Sequence, residues 1–120
     1  MDFAYDDQNI FAKILRGEIP NQTVYEDEYA LAFNDIAPQA PVHVLVIPKG
    51  PYMSMDHFCR DGSADEIVGF MRAVSKVCEM SGIDAGFRAI ANARENGAQE
   101  VPHLHFHILG GRYLGPLLAT

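Results

Sequence analysis

Histidine alternates with apolar residues through His103-Leu104-His105-Phe106-His107-Ile108-Leu109, and this two-residue period constrains the fold more than any other feature of the chain. Side chains alternate faces along an extended strand. His103, His105 and His107 therefore share one face, and Leu104, Phe106 and Ile108 share the other, which has the composition of a core-facing row. Three of the five histidines fall within five residues. Each imidazole titrates near neutral pH, so the row reads as a chemical site rather than a decorated strand.

Three readings fit such a row. The first is metal binding, since alternate histidines on a strand can supply two ligands to zinc. Paired Cα atoms are about 6.6 Å apart, which separates His103 from His107 by about 13 Å along a straight strand. Three ligands to one ion must come within about 4 Å of one another, so His43, His57 or a distant carboxylate would have to complete the set. The second is covalent catalysis. A neutral imidazole is a competent nucleophile toward phosphorus, and neighbours must donate to the phosphoryl oxygens and move protons. The central residue, His105, is the natural nucleophile. The third is a histidine-rich surface strand without chemistry.

Composition narrows the partners. The formal charge of −7 and sequence pI of about 5.0 argue against a nucleic-acid polymer, which calls for a basic stripe. A single nucleotide remains open, because backbone N–H groups and a few local donors can hold one phosphate. No apolar run approaches the roughly 20 residues that span a bilayer, and the acidic residues 1–7 are unlike a signal peptide. Cys59 and Cys78 have neither metal-ligand spacing nor the numbers of a disulfide framework. They read as reduced, partly buried thiols of a cytoplasmic protein. A length of 120 residues with 48% hydrophobic composition fits one domain, residues 1–120, with a real core.

Local patterns place the elements. Ile10, Phe11, Ile14 and Leu15 have helical spacing over residues 9–17, with Asn9 as cap and Gly17 as stop. Residues 22–26 and 29–34 read as strands joined by an acidic turn at Asp27-Glu28. Residues 42–47 are a β-branched run between Pro41 and Pro48. An amphipathic helix runs over 63–81 and closes at Gly82. Residues 87–91 form a fourth strand and the histidine segment a fifth, with Pro102 at its first position. A polar loop, 92–100, joins these two strands. The whole is α+β: a five-stranded antiparallel sheet with an N-terminal helix and one long central helix.

The histidine segment, continued as Gly110-Gly111-Arg112, resembles the histidine triad motif. The resemblance extends to Ile10-Phe11-Ala12-Lys13-Ile14-Leu15-Arg16-Gly17-Glu18-Ile19-Pro20 and to the stretch from Phe33-Asn34-Asp35-Ile36 through His43 to Lys49. The tail from Gly111 to Ala119 is similar to the bacterial-type ending. These motifs, in order over nearly the whole chain, are similar to the Hint branch of the histidine triad superfamily, the histidine triad nucleotide-binding proteins. The resemblance implies the HIT-like fold and a purine nucleoside phosphoramidase that needs no cofactor. On that likeness His105 carries a transient nucleotidyl group, His107 and His43 contact phosphate and shuttle protons, and His103 supports the row. Backbone N–H groups near His105 and His107 and along Ala98, Gln99, Glu100 and Val101 cradle the phosphate, with Asn92 approaching it. Asp35 accepts the ribose hydroxyls. Phe33, Ile36, Ile10, Phe11, Ile14, Ile19 and Leu45 form an apolar slot for the base. A homodimer is implied, with residues 114–120 reaching the neighbouring site.

Other readings stand beside these. Ile14, Ile19 and Leu45 suit a core equally well, Asp35 suits a turn before Pro38, and His43 suits a satisfied interior position. His57 reads as a solvated loop residue and Gly110-Gly111 as a turn. Glu100 replaces the serine of the eukaryotic pattern, which leaves its backbone N–H as the expected phosphate contact. Zinc-binding relatives carry cysteines where this chain has Asn9 and Ala12, so no metal is expected. The same triad also serves diadenosine polyphosphate hydrolases and other nucleotidyl hydrolases of the superfamily, and a purine-nucleotide binding or signalling module is a third class.

Overall fold

The computed structural model describes residues 2–119. Eight elements follow in order: α1 Ile10–Leu15, β1 Thr23–Glu26, β2 Ala30–Asn34, β3 Val42–Pro48, α2 Met55–Asp61, α3 Ala64–Met80, β4 Phe87–Ile90 and β5 Phe106–Gly110. The five strands form one antiparallel sheet in the order β1-β2-β3-β5-β4. This is the expected α+β arrangement. Among the described residues no helix is long and apolar enough to cross a membrane.

Both faces of the central sheet are covered, so β2 and β3 read as near-continuous buried runs rather than alternating ones. On one face Ala30, Ala32, Val44, Val46, Leu104 and Ile108 pack against Phe70, Ala73, Val74 and Val77 of α3. On the other, Leu31, Phe33, Leu45 and Ile47 pack against Phe11 and Ile14 of α1. Burying each of these two helix side chains stabilises the fold by roughly 1.5–3 kcal/mol. The caps follow local chemistry. Asn9 accepts the Ala12 N–H at 2.9 Å, and Ser63 and Glu66 form a reciprocal capping box at the start of α3. Gly17 and Gly82 end their helices at positive φ, +79° and +68°.

Four expectations need correction. First, β5 begins at Phe106 and not at Val101 or Pro102. The amides upstream pair outside the ladder: His103 N–H donates to Val101 O, and Leu104 N–H donates to Tyr52 O. Second, His57 is buried in α2, a helix missing from the sequence reading. Its Nδ1 accepts the Met53 N–H at 3.0 Å and its ring stacks on Phe3. Third, Cys59 is exposed, while Cys78 is half-buried. Fourth, Gly110 is a buried strand residue, and a Cβ there would meet Ile83 Cγ2 at 2.6 Å. Of the residues expected to reach a neighbouring site, 114–120, Thr120 lies outside the described residues.

Candidate active site

The face of the sheet toward α1 carries the histidine row. Although His103 and His105 precede the strand, the alternation persists, because Leu104 and Ile108 enter the α3-side core. The ring of Phe11 meets His103 and His105 edge-on at 6.4 and 5.0 Å. His105 and His107 are 4.9 Å apart, ring centre to ring centre. β3 pairs Leu45 with His107 and His43 with Leu109, which brings the His43 ring beside the row.

Hydrogen bonds assign the proton on every ring. A carbonyl can only accept and a backbone N–H can only donate. His105 Nδ1 lies 2.7 Å from His103 O, so Nδ1 carries the proton and Nε2 keeps its lone pair. His103 Nε2 donates to Pro48 O at 2.8 Å, leaving its Nδ1 as acceptor 2.6 Å from the Tyr5 hydroxyl. The Gln39 N–H donates to His43 Nδ1 at 3.1 Å, so His43 carries its proton on Nε2. That proton is given to His107 Nδ1 at 2.9 Å, and His107 in turn presents Nε2–H. The row thus offers a bare nitrogen at its centre and an N–H donor beside it.

Burial keeps these rings neutral. It lowers His103 and His107 to about 4, and the neighbouring rings of the row push both further in the same direction. His105 is also lowered, chiefly by burial. The bond to the His103 carbonyl and the carboxylates of Asp35 and Glu100 oppose that shift. His43 is lowered by burial against the pull of Asp35. Where desolvation outweighs the nearby carboxylates, an imidazole favours its uncharged form, the one that can attack phosphorus.

Asp35 does two things. Its Oδ1 accepts the Ala37 N–H at 2.8 Å, closing the turn before Pro38, and its Oδ2 lies 3.4 Å from His43 Nε2. Asp35, His43 and His107 bring their donor atoms within 4.8 Å of one another, the set a metal would need from His43 and a carboxylate. The Gln39 N–H holds the proton on His43 Nε2, the atom that would have to ligate. The cluster is built as a hydrogen-bond chain.

The expected base slot divides in two. Phe11, Ile14, Phe33 and Leu45 are buried in one cluster, with Ile19 and Val101 packed against it, so they are core as well as wall. Ile10 is 46% exposed and Ile36 98% exposed, on the loop that carries Asp35. The expected phosphate cradle needs a correction. The amides of Ala98 and Gln99 turn inward, donating to Glu95 O and Arg94 O. The Gln99 side chain accepts from Arg94 N and donates to Met53 O and Val101 O, which makes it a clamp for the loop. Arg94 and Ala98 hold positive φ, +59° and +57°, at a cost of roughly 1–2 kcal/mol each. The Arg94 guanidinium is pinned to Asp56 at 2.7 Å. Asn92 is half-buried at the head of this loop, and Glu100 is exposed at its end.

Sequence reasoning missed Tyr5, Gln39 and the Arg94–Asp56 tie. Arg94 and Asp56 stand 38 positions apart and Tyr5 and His103 98 apart. Gln39 acts through a backbone N–H that any residue except proline would supply. None of the three carries a local signal.

In sequence and overall fold the chain is similar to known proteins. A family model described as HIT domain matches residues 16–114. An uncharacterized 13.2 kDa HIT-like protein of Azospirillum brasilense is 53% identical, over 95% of this chain and 94% of its own length. A purine nucleoside phosphoramidase of Escherichia coli strain K12 is 45% identical, over 94% of this chain and 95% of its own. The solved structure of a histidine triad protein from Clostridium difficile is similar at a TM-score of 0.84 and 42% identity, covering 96% of this chain and all of that one.

Proposed function

Because this chain belongs to the HIT domain family, we propose that it is a nucleotide hydrolase of the purine nucleoside phosphoramidase type. It cleaves the P–N bond of adenosine or guanosine 5′-phosphoramidates through a nucleotidyl group on His105. The observation that carries the reading is the split of proton and lone pair on the His105 ring, Nδ1–H on the His103 carbonyl and Nε2 free. The relative named as a phosphoramidase supports the choice of bond.

In the first step His105 Nε2 donates its lone pair to phosphorus as the P–N bond breaks. The electron pair of that bond stays with the amine nitrogen, which takes a proton as it leaves. In the second step water attacks phosphorus and loses a proton, and the bonding pair returns to His105 Nε2. The protons balance over the two steps, one gained by the amine and one lost by water. The linked His43–His107 pair, neutral at rest, takes up a proton from solvent beside the bound phosphate, passes it to the departing amine and regains one from the attacking water. His107 Nε2–H also donates to a phosphoryl oxygen as charge builds there. Asp35 receives the ribose hydroxyls with whatever acceptor capacity its turn leaves free, and Ile10 and Ile36 close on the base from the exposed rim. The Glu100 and Val101 backbone N–H groups are the loop donors proposed for phosphate.

Charge separates this substrate from its nearest competitor. Asp35 and Glu100 are the charges that act on His105, and both are negative. A nucleoside phosphoramidate with a single phosphate suits that field better than a diadenosine polyphosphate. A homodimer belongs to the same proposal, supported by exposed Val68, Met71 and Met80 on α3 and Phe87 on the edge strand β4.

The test is turnover of adenosine 5′-phosphoramidate against diadenosine tetraphosphate by wild type and His105→Ala. The expected result is steady release of AMP from the first substrate, slower cleavage of the second, and loss of turnover by orders of magnitude in the variant with nucleotide affinity largely retained. Equal activity of the variant, or preference for the polyphosphate, would overturn the assignment.

A further inference from the structure

The hydrogen bonds that orient His105 do not end at His103. His103 is completely buried, with both ring nitrogens engaged. Since Pro48 offers only its carbonyl oxygen, His103 Nε2 must donate to it, so Nδ1 accepts and the Tyr5 hydroxyl donates, at 2.6 Å. The backbone carbonyl of this same residue receives the His105 Nδ1–H. One residue therefore takes a hydrogen bond from Tyr5 through its ring and orients the reacting ring through its backbone.

Tyr5 lies on an irregular segment ahead of α1 that is tied down at several points. Phe3 stacks on His57 with ring centres 4.6 Å apart, and the Arg60 guanidinium lies 4.5 Å from the Phe3 ring centre. Asn9 Nδ2 donates to Asp6 O at 2.7 Å, and Arg16 Nη1 donates to Asp7 O at 2.8 Å. Between these anchors the Tyr5 ring meets His103 edge-on at 5.6 Å. The hydroxyl is thus delivered on a held strap.

We propose that Tyr5 is a positioning residue for the histidine row: with the Pro48 carbonyl setting the His103 tautomer, the Tyr5 hydroxyl donates to its Nδ1 and holds the residue whose carbonyl presents His105 with Nε2 bare. The inference rests on the nucleotidyl-histidine reading for its consequence in catalysis. Its physical content is independent of that reading. Without the hydroxyl a buried acceptor loses its donor, and no tautomer restores it, since Nδ1–H would face no acceptor and Pro48 O would lose its own donor; the ring must shift or admit a water. Either change disturbs the carbonyl that His105 depends on, and small misplacements of a reacting group cost up to about 10²-fold in rate.

Two measurements decide it. In wild type, long-range ¹H–¹⁵N correlations of the histidine rings should show His103 protonated at Nε2 and His105 at Nδ1, with the Tyr5 hydroxyl proton correlated to His103 Nδ1. A His103 protonated at Nδ1 overturns the proposal without any variant and without any substrate. In Tyr5→Phe, which keeps the ring and its packing, the His105 tautomer should become mixed. With adenosine 5′-phosphoramidate kcat should fall about 10-fold while KM holds, because Tyr5 does not touch substrate. A folded Tyr5→Phe with pure His105 Nδ1–H and unchanged kcat refutes the role. Should wild type prove inactive on phosphoramidates, the function reading fails alone and the tautomers still judge Tyr5.

Discussion

At His105 a single backbone carbonyl separates the proton from the lone pair, and at His107 a three-member chain from Gln39 through His43 does the reverse. These two assignments make neighbouring rings a nucleophile and a donor. They also make His43 testable. His43→Ala removes the donor to His107 Nδ1 and is expected to lower kcat by about 10²-fold. His43→Gln, whose amide can still donate, should lose less. Equal rates for the two in steady-state turnover would show that the chain does not matter. The row itself was legible in the sequence, because a two-residue period survives even where the strand does not form. The roles of single residues were less so. Gln99 faces a loop it holds together, and Ile36 faces solvent, for reasons set by partners far away in sequence.

Among the elements, the long strands and α3 followed their patterns because burial, caps and β-branching agreed. α2 escaped notice because seven residues, Met-Asp-His-Phe-Cys-Arg-Asp, show little amphipathic period. It forms because Phe58 and His57 find the core and the strap, which are tertiary partners. β5 is short because Pro102 and the amides of His103 and Leu104 leave the ladder before it begins. The contact of α3 with the β1–β2 turn depends on Gly69. A Cβ there would lie 2.1 Å from Tyr29 Cδ2 and 2.4 Å from its Cγ, close to the backbone where the ring cannot swing away. Overpacking costs about 1–3 kcal/mol, and replacing a helical glycine returns about 1. Contacts this short put the overpacking cost in the upper part of that range, about 2–3 kcal/mol, so Gly69→Ala is expected to lower stability by about 1–2 kcal/mol in urea unfolding. An unchanged or higher midpoint would contradict this packing.

The whole molecule inherits a pH dependence from its buried row. His103 falls from an ordinary 6.5 to about 4 on folding, so between those values the unfolded chain binds a proton that the folded chain refuses. Stability is then full above pH 6.5 and declines as pH falls toward 4, by on the order of 3 kcal/mol from this residue. His107 acts in the same direction. Chemical denaturation at pH 7 and pH 4.5 should show the loss, and His103→Gln should flatten it; a profile equally steep in the variant would place the titration elsewhere. The central claim concerns the bond from His105 to phosphorus, and the mass of the intact protein reads it directly. After brief incubation with adenosine 5′-phosphoramidate and acid-free quenching, the protein should gain one adenylyl group that maps to His105, and His105→Ala should gain none. Turnover without an adduct, or an adduct on any other residue, would contradict the account.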